Sequence, residues 1–153
     1  MQLIYDFFHN RIIIAALLGW LIAQILKTIL VLITTKKLDL ERMFGAGGMP
    51  SAHSAMVTAM TIQIGEECGV GSVAFAVALV FSLIILYDAL GVRRQAGEHA
   101  KMLNRVAYTL EQENLNHENN LLVKFDELKE LLGHTPLEVL GGVVLGILIS
   151  LTL

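Results

Sequence analysis

The sequence predicts an all-α integral membrane protein, a helical bundle of about four transmembrane helices with a polar helical hairpin between the third and the fourth. Of its 153 residues, 55% are hydrophobic and 16% are charged, and the mean hydropathy is +0.65. A soluble domain carries about a quarter charged residues. Here the polar residues lie between long apolar runs, which is typical of a membrane protein. We expect residues 1–153 to form a single membrane-embedded domain.

The first apolar run is long enough to cross a membrane. It extends from Ile12 to about Ile33 and is interrupted by Gln24 and Lys27. At about 1.5 Å per residue, its length matches a hydrocarbon core of roughly 30 Å. We therefore predict a transmembrane helix here.

The other three runs differ in polarity. The run from Pro50 to about Gly65 is short and polar for a span, so we expect neighbouring helices to shield it from lipid. The run from Val70 to about Leu90 is the most apolar of the four. The last run, Pro136–Leu153, contains three glycines, which permit close packing between membrane helices.

A polar excursion, residues 91–133, separates the third run from the fourth. Apolar residues recur there at spacings of three and four between Val92 and Leu110, which predicts an amphipathic helix. The pattern repeats from Leu121 to Leu132 and predicts the second arm of a hairpin. The apolar seam is short, so a coiled-coil dimer is allowed but not required. Four helices are few to enclose a site, which also leaves a homodimer open.

The charges predict an orientation. If four helices cross in turn, both polar motifs described below fall on one face of the membrane. Nine of the eleven Lys and Arg residues lie on that face, which the positive-inside rule makes cytoplasmic. We therefore expect a plasma-membrane protein of the bacterial type with its site facing the cytoplasm.

The first polar motif is Gly47-Gly48-Met49-Pro50-Ser51-Ala52-His53-Ser54. Pro50 suits a first helical position, and the glycines and Ser51 let backbone N–H groups face an anion. His53 would then lie in the first helical turn, near that anion. The motif therefore predicts an anion site at the mouth of the second helix.

The second polar motif is Gly133-His134-Thr135-Pro136-Leu137-Glu138. Glu138 follows His134 by four residues and lies on the same helical face. A carboxylate there can accept a proton from one imidazole nitrogen and leave the other nitrogen free to attack. A histidine at the mouth of a membrane helix is expensive to keep near lipid, which favours a functional role.

Several charged residues could complete a phosphate site near these histidines. Arg93 and Arg94 offer permanently charged, planar forks for two-point contacts to oxygen. Lys36 and Arg42 could add positive charge from the first helix and its loop. Asp88, at the membrane edge, could pair with an arginine or assist a histidine. Together the motifs predict a histidine-based site for a phosphorylated substrate at a membrane surface.

These residues resemble a known family. The chain is similar to the type-two phosphatidic acid phosphatase and vanadium haloperoxidase superfamily, and more specifically to its small divergent membrane branch. Three segments carry the resemblance, and they are Gly47–Ser54, Tyr87-Asp-x-x-Gly-Val-Arg-Arg94 and Gly133–Val139. The similarity extends over almost the whole chain.

The chain departs from the superfamily pattern at two motifs. Leu128 occupies the position six residues before His134 where the superfamily has an arginine. Arg93 or Arg94 would have to take its part across the inserted hairpin. In the lysine–arginine motif, Lys36 and Arg42 have five residues between them where the superfamily has six, and no proline follows.

A second histidine has the spacing of the third motif. His99 follows Arg93 by six residues, but Leu103 stands where a carboxylate should follow. We therefore favour His134 over His99 as the nucleophile.

The resemblance implies a two-step phosphatase mechanism. His134 would attack phosphorus with Glu138 orienting it, and His53 would protonate the leaving group and then activate water. Cationic side chains, Ser51 and Gly48 would hold the phosphate, with no metal and no cofactor.

The predicted function is hydrolysis of a phospholipid or prenyl phosphate, with phosphatidylglycerophosphate as the first choice. The alternative is a non-catalytic membrane protein that binds anionic lipid or serves in assembly on the same scaffold. No nucleic acid partner is predicted.

Overall fold

The structure is a computed structural model that describes residues 1–36, 48–115, 127–128 and 132–153. Helices are the only regular elements in those ranges, so the all-α prediction is confirmed. They are α1 (Gln2–His9), α2 (Arg11–Thr35), α3 (Ala52–Cys68), α4 (Val73–Leu90), α5 (Val92–Leu115) and α6 (Pro136–Ser150).

The apolar helices agree with a membrane bundle. Two stretches are long and apolar enough to cross a membrane, namely α2 and the stretch Val73–Gln112, which joins α4 to most of α5. Helix α6 is apolar but shorter, and α3 is the more polar helix that the sequence predicts to be shielded. A count of four crossings stays a prediction.

The polar excursion begins as predicted. Helix α5 continues from α4 after Gly91 and is amphipathic. The predicted second arm of the hairpin, 121–132, lies almost entirely outside the described residues.

One helix start differs from the prediction. Pro50 lies before α3, which begins at Ala52, with Ser51 as its N-cap. The cap is set by the Ser51 hydroxyl, which accepts from the Ser54 backbone N–H at 3.4 Å. Ser51 has extended backbone angles, so helical geometry begins only after it. His53 still lies in the first turn.

Helices α3 and α6 pack side by side through glycine. A Cβ at Gly142 would overlap the Ser51 carbonyl, and a Cβ at Gly146 would lie 2.6 Å from the Ala55 carbonyl oxygen. Any larger residue at either position would push the two helices apart. Such backbone-to-backbone approach is how membrane helices associate when lipid already surrounds their apolar side chains.

The order of these contacts gives the direction of each helix. Ser51 lies beside Glu138, and Ala59 accepts a hydrogen bond from Ser150, so α3 and α6 run in the same direction. Helix α2 runs the opposite way. Its Gly19 lies against Ala55 in α3, whereas Lys27, eight residues later in α2, lies against Gly48, which precedes α3.

Helix α4 also runs opposite to α3. Gly65, late in α3, lies against Phe75 at the start of α4, whereas Ser82, later in α4, donates to the carbonyl of Val57, earlier in α3, at 3.2 Å. The Ser82 and Thr61 hydroxyl groups also lie 2.7 Å apart. These bonds satisfy polar groups inside the bundle. The alternating directions bring the ends of α2 and α4 to the starts of α3 and α6, at the end of the bundle that carries both motifs.

Candidate active site

The two polar motifs meet through their backbones. The Ser51 N–H donates to the Glu138 carbonyl at 2.9 Å, which ties the start of α3 to the first turn of α6. The His134 N–H donates to the Ala89 carbonyl in the last turn of α4 at 3.2 Å. Three helices therefore converge on the short segment that carries His134.

A carboxylate fixes the ring of His134. Its Nδ1 lies 3.1 Å from Glu138 Oε2, and only 4% of the residue is exposed. The same carboxylate oxygen accepts from the Thr135 N–H at 3.0 Å, while the Thr135 hydroxyl accepts from the Glu138 N–H at 3.4 Å. This reciprocal pair is a capping box, which stabilises the first turn of α6. Glu138 thus holds both the helix start and the imidazole.

The surroundings of His134 favour its neutral form. Burial lowers its pKa below the ordinary value, and the positive charges of Lys27 and Arg93 lower it further. The hydrogen bond and the charge of Glu138 act in the opposite direction and raise the pKa, but burial dominates. With Nδ1–H donating to Glu138, the lone pair of Nε2 is available near neutral pH.

His53 has a different environment from His134. It is the second residue of α3 and is exposed. Its ring makes no hydrogen bond to any residue that the structure describes. The charges of Arg93, His134 and Lys27 all act on it, with Arg93 the strongest of the three. The two histidines therefore differ in burial and hydrogen bonding, but the charges of Arg93 and Lys27 act on both.

Of the two predicted arginines, Arg93 belongs to this cluster. Its Nε donates to Asp88 Oδ2 at 2.6 Å, so Asp88 orients the guanidinium. Arg94 is also exposed, and its side chain makes no hydrogen bond or ion pair with the described residues. Its backbone packs against Gly133, and phosphate contact by its side chain stays a prediction. His99 is exposed further along α5.

Sequence reasoning missed Lys27, which the structure adds to the site. This residue is 3% exposed, and its charge acts on His53, His134 and Glu138. No carboxylate of the described residues lies within ion-pair distance of it. The signal was in the sequence, because a lysine inside an apolar span is costly unless it serves a site.

The packing of α2 places Lys27 there. Ala16, Gly19 and Ala23 precede it at helical spacing and are also turned into the bundle. Small residues at those positions bring α2 close to α3. Gly48, at the positive φ of +87°, lies against the aliphatic stem of Lys27.

Three other predicted site residues have different placements. Lys36 is exposed at the end of α2, about 13 Å along the helix axis from Lys27. Arg42 lies outside the described residues. Ser51 is fully buried: its hydroxyl is bonded to Ser54 within the start of α3 at 2.9 Å, and its N–H joins α3 to α6 through the Glu138 carbonyl. Phosphate contact by these three residues stays a prediction.

Comparison with known proteins gives the family of the chain. A family model described as "Divergent PAP2 family" matches residues 8–149. The chain belongs to the divergent PAP2 family. It is also 38% identical over 149 residues to a protein of Bacillus subtilis (strain 168) described as "Uncharacterized membrane protein YuiD", with 94% of each chain covered. No solved structure matches the chain.

Family membership confirms the resemblance drawn from the three motifs. This chain is a phosphatase-like integral membrane protein of the divergent PAP2 family. Among the described residues, no group of three or more His, Cys, Asp or Glu side chains could hold a metal ion.

Proposed function

We propose that this divergent PAP2 protein is a lipid phosphate phosphatase that works through a phosphohistidine intermediate without a metal. One observation carries the proposal. A buried, carboxylate-bound imidazole, an exposed imidazole and two cations from different helices converge at one end of the bundle. Binding an anionic lipid would need the cations alone, whereas an oriented imidazole serves nucleophilic attack.

The first step transfers the phosphoryl group to His134. Its Nε2 attacks phosphorus while Nδ1–H remains bonded to Glu138, and an N–P bond forms as the bond to the lipid oxygen breaks. His53 donates a proton to the departing alkoxide, which would otherwise be a poor leaving group. Exposure suits this role, because the proton must be replenished from water.

The second step hydrolyses the intermediate. His53, now neutral, takes a proton from water as the water oxygen attacks phosphorus and the N–P bond breaks. Inorganic phosphate leaves and His134 regains its free lone pair. His53, which transfers protons, is exposed, whereas His134, which bonds to phosphorus, is buried.

Arg93 and Lys27 stabilise the charge on the phosphoryl oxygens. Arg93 is oriented by Asp88 and can contact two oxygens at once. Lys27 supplies a buried cation without a neighbouring carboxylate at ion-pair distance in the described residues, so a phosphate dianion would compensate a charge that the bundle otherwise holds at a cost. The charge of Lys27 acts strongly because the residue is buried and water is excluded around it.

We assign the substrate to the phospholipid or prenyl phosphates, with phosphatidylglycerophosphate first. A bundle of apolar helices leaves the acyl chains in lipid and presents only the headgroup to the histidines. The positive-inside bias supports a site on the cytoplasmic side.

The alternative function is non-catalytic binding of anionic lipid. The absent arginine at position 128 favours it, since a motif residue has been lost. The same cations would hold a headgroup, and His134 would stay unmodified.

The test is phosphate release by the purified protein in detergent with a chelator present. Phosphatidylglycerophosphate, phosphatidic acid and undecaprenyl pyrophosphate are compared, with His134→Ala as the control. Release that requires His134 and survives the chelator supports the phosphatase. Binding of these lipids without release above the control supports the alternative.

A further inference from the structure

The chain that returns from the polar excursion is held against α5 by an unusual pair of hydrogen bonds. The side-chain Nδ2 of Asn104 donates to the Leu128 carbonyl, and its Oδ1 accepts from the Leu128 N–H, each at 2.9 Å. One amide side chain thus satisfies both backbone groups of a residue 24 positions away. Because both bonds are made by one side chain, they fix the position of Leu128 along α5.

A second contact lies closer to the site. Gly133 rests on the backbone of Arg93 and Arg94, where a Cβ would overlap the Arg94 N and Cα atoms. The next residue, His134, donates its N–H to Ala89 at 3.2 Å. The described parts of the returning chain therefore contact the last turn of α4 and the first turn of α5 directly before the imidazole.

These contacts bear on the arginine that the sequence lacks. In the superfamily motif the arginine and the histidine lie on one continuous segment, so local geometry sets their separation. Here Leu128 occupies the arginine position, and Arg93 lies about forty residues before His134. Closing such a long connection is entropically unfavourable and leaves the separation undefined unless tertiary contacts define it.

We propose that Asn104 is a positioning residue that, together with the close packing of Gly133, holds the returning chain so that Arg93 lies beside His134. The part that Arg93 plays in phosphate binding rests on the phosphatase function proposed above. The placement itself does not depend on that function.

The contribution of Asn104 to global stability should be small. Asn104 is only half-buried and Leu128 is exposed, so water can replace both bonds when the amide is removed. Net contributions of such exchanged hydrogen bonds are modest. The effect of Asn104 is therefore expected in the geometry of the site rather than in unfolding.

The experiment is a double-mutant cycle between Asn104→Ala and Arg93→Ala, read by NMR titration of the His134 ring in detergent without substrate. The ring signal is assigned with His134→Gln. Since the Arg93 charge lowers the pKa of His134, Arg93→Ala is expected to raise it. Asn104→Ala is expected to raise it as well, because Arg93 is no longer held beside the ring.

The two shifts should not add. In the Arg93→Ala background, Asn104→Ala is expected to leave the pKa of His134 unchanged. Asn104→Asp, which keeps the acceptor for the Leu128 N–H and loses the donor, should give an intermediate shift. The matched control is Gln95→Ala, which removes an exposed amide from the same helix and should give none.

Two results would overturn the proposal. One is an unchanged His134 titration in Asn104→Ala, and the other is a shift that adds in full to that of Arg93→Ala. Because the titration uses no lipid, it gives its answer even if phosphate release is never observed. If no phosphate release is observed but the cycle gives the expected shifts, the positioning role of Asn104 is supported and the phosphatase function is not.

Discussion

The two histidine-bearing helix starts differ in how firmly each holds its ring. His134 is buried, bonded to Glu138 and tied through its N–H to α4. His53 is exposed and lacks a hydrogen bond within the described residues. A nucleophile needs a fixed approach to phosphorus, whereas a proton carrier needs access to water. The difference supports a division of labour between two residues of the same type.

The largest expected effects come from removing each histidine in turn. His134→Ala should abolish phosphate release from every substrate, because no N–P bond can form. His53→Ala should lower release from a lipid phosphate by about 10²- to 10⁴-fold, the usual contribution of a general acid.

The two variants should behave differently with p-nitrophenyl phosphate as the substrate, because its leaving group needs no proton. His53→Ala is expected to recover much of its rate in the formation of the phosphohistidine, measured as a burst of p-nitrophenolate. His134→Ala should show no burst. An equal loss of the burst in both variants would contradict the assignment of roles.

The next effect tests the carboxylate that fixes His134. Glu138→Gln should lower kcat by about 10²-fold or more, because the imidazolium character that develops during attack is no longer stabilised. The helix start should survive, since glutamine also serves in a capping box. Circular dichroism and thermal unfolding are the checks on the fold.

The pH dependence of kcat/KM provides a second test of the role of Glu138. Neutral His134 is the reactive form, so activity should fall as the pH drops through its pKa, which lies below the ordinary histidine value of about 6.5. Glu138 raises that pKa, so Glu138→Gln should move the acid limb of kcat/KM to lower pH. Movement to higher pH would mean that another group limits the rate.

Lys27→Met should reduce activity while leaving the fold intact or more stable. We expect a loss of about 10²-fold in kcat/KM, as for one missing donor to a transition-state oxygen. The melting temperature should not fall, because a buried charge is replaced by an apolar side chain. Lys101→Met, the same change at an exposed position of α5, removes only a surface ion pair with Glu98, so it is the control and should have little effect on either quantity.

The smallest effects compare the two N-caps. Thr135→Ala should lower the free energy of unfolding by about 1 kcal/mol, because its cap is exposed and water can replace it. Ser51→Ala should lower it by about 1–3 kcal/mol, since it leaves the buried Ser54 hydroxyl without this partner. Chemical denaturation in mixed micelles would measure both, and an equal loss would show that burial of the cap is unimportant.

Much of the site could be predicted from local patterns. The spacing of His134 and Glu138 placed both on one helical face, and the structure joins them at 3.1 Å. The amphipathic pattern predicted α5, and long apolar runs predicted α2 and α4. These signals are local, because helix periodicity and hydropathy depend on neighbours within a few turns.

Other features needed the packed structure. Lys27 could be seen only as an interruption of an apolar run, and its place beside the histidines depends on small residues of α2 packing against α3. Ser51 could be seen as an anion-binding residue, but tertiary contacts give its N–H to Glu138 and its hydroxyl to Ser54. Pro50 was expected inside the helix that Ser51 instead caps.

The sequence by itself determined the class of this protein, its family and the pair of histidines on which the proposed chemistry rests. Only the tertiary structure decided which cations accompany them. Arg93 and Lys27 lie far from His134 along the chain, and their approach depends on helix direction, glycine contacts and the docking of the returning chain. Charges separated in sequence act together only after packing brings them close, because the Coulomb interaction depends on distance in space.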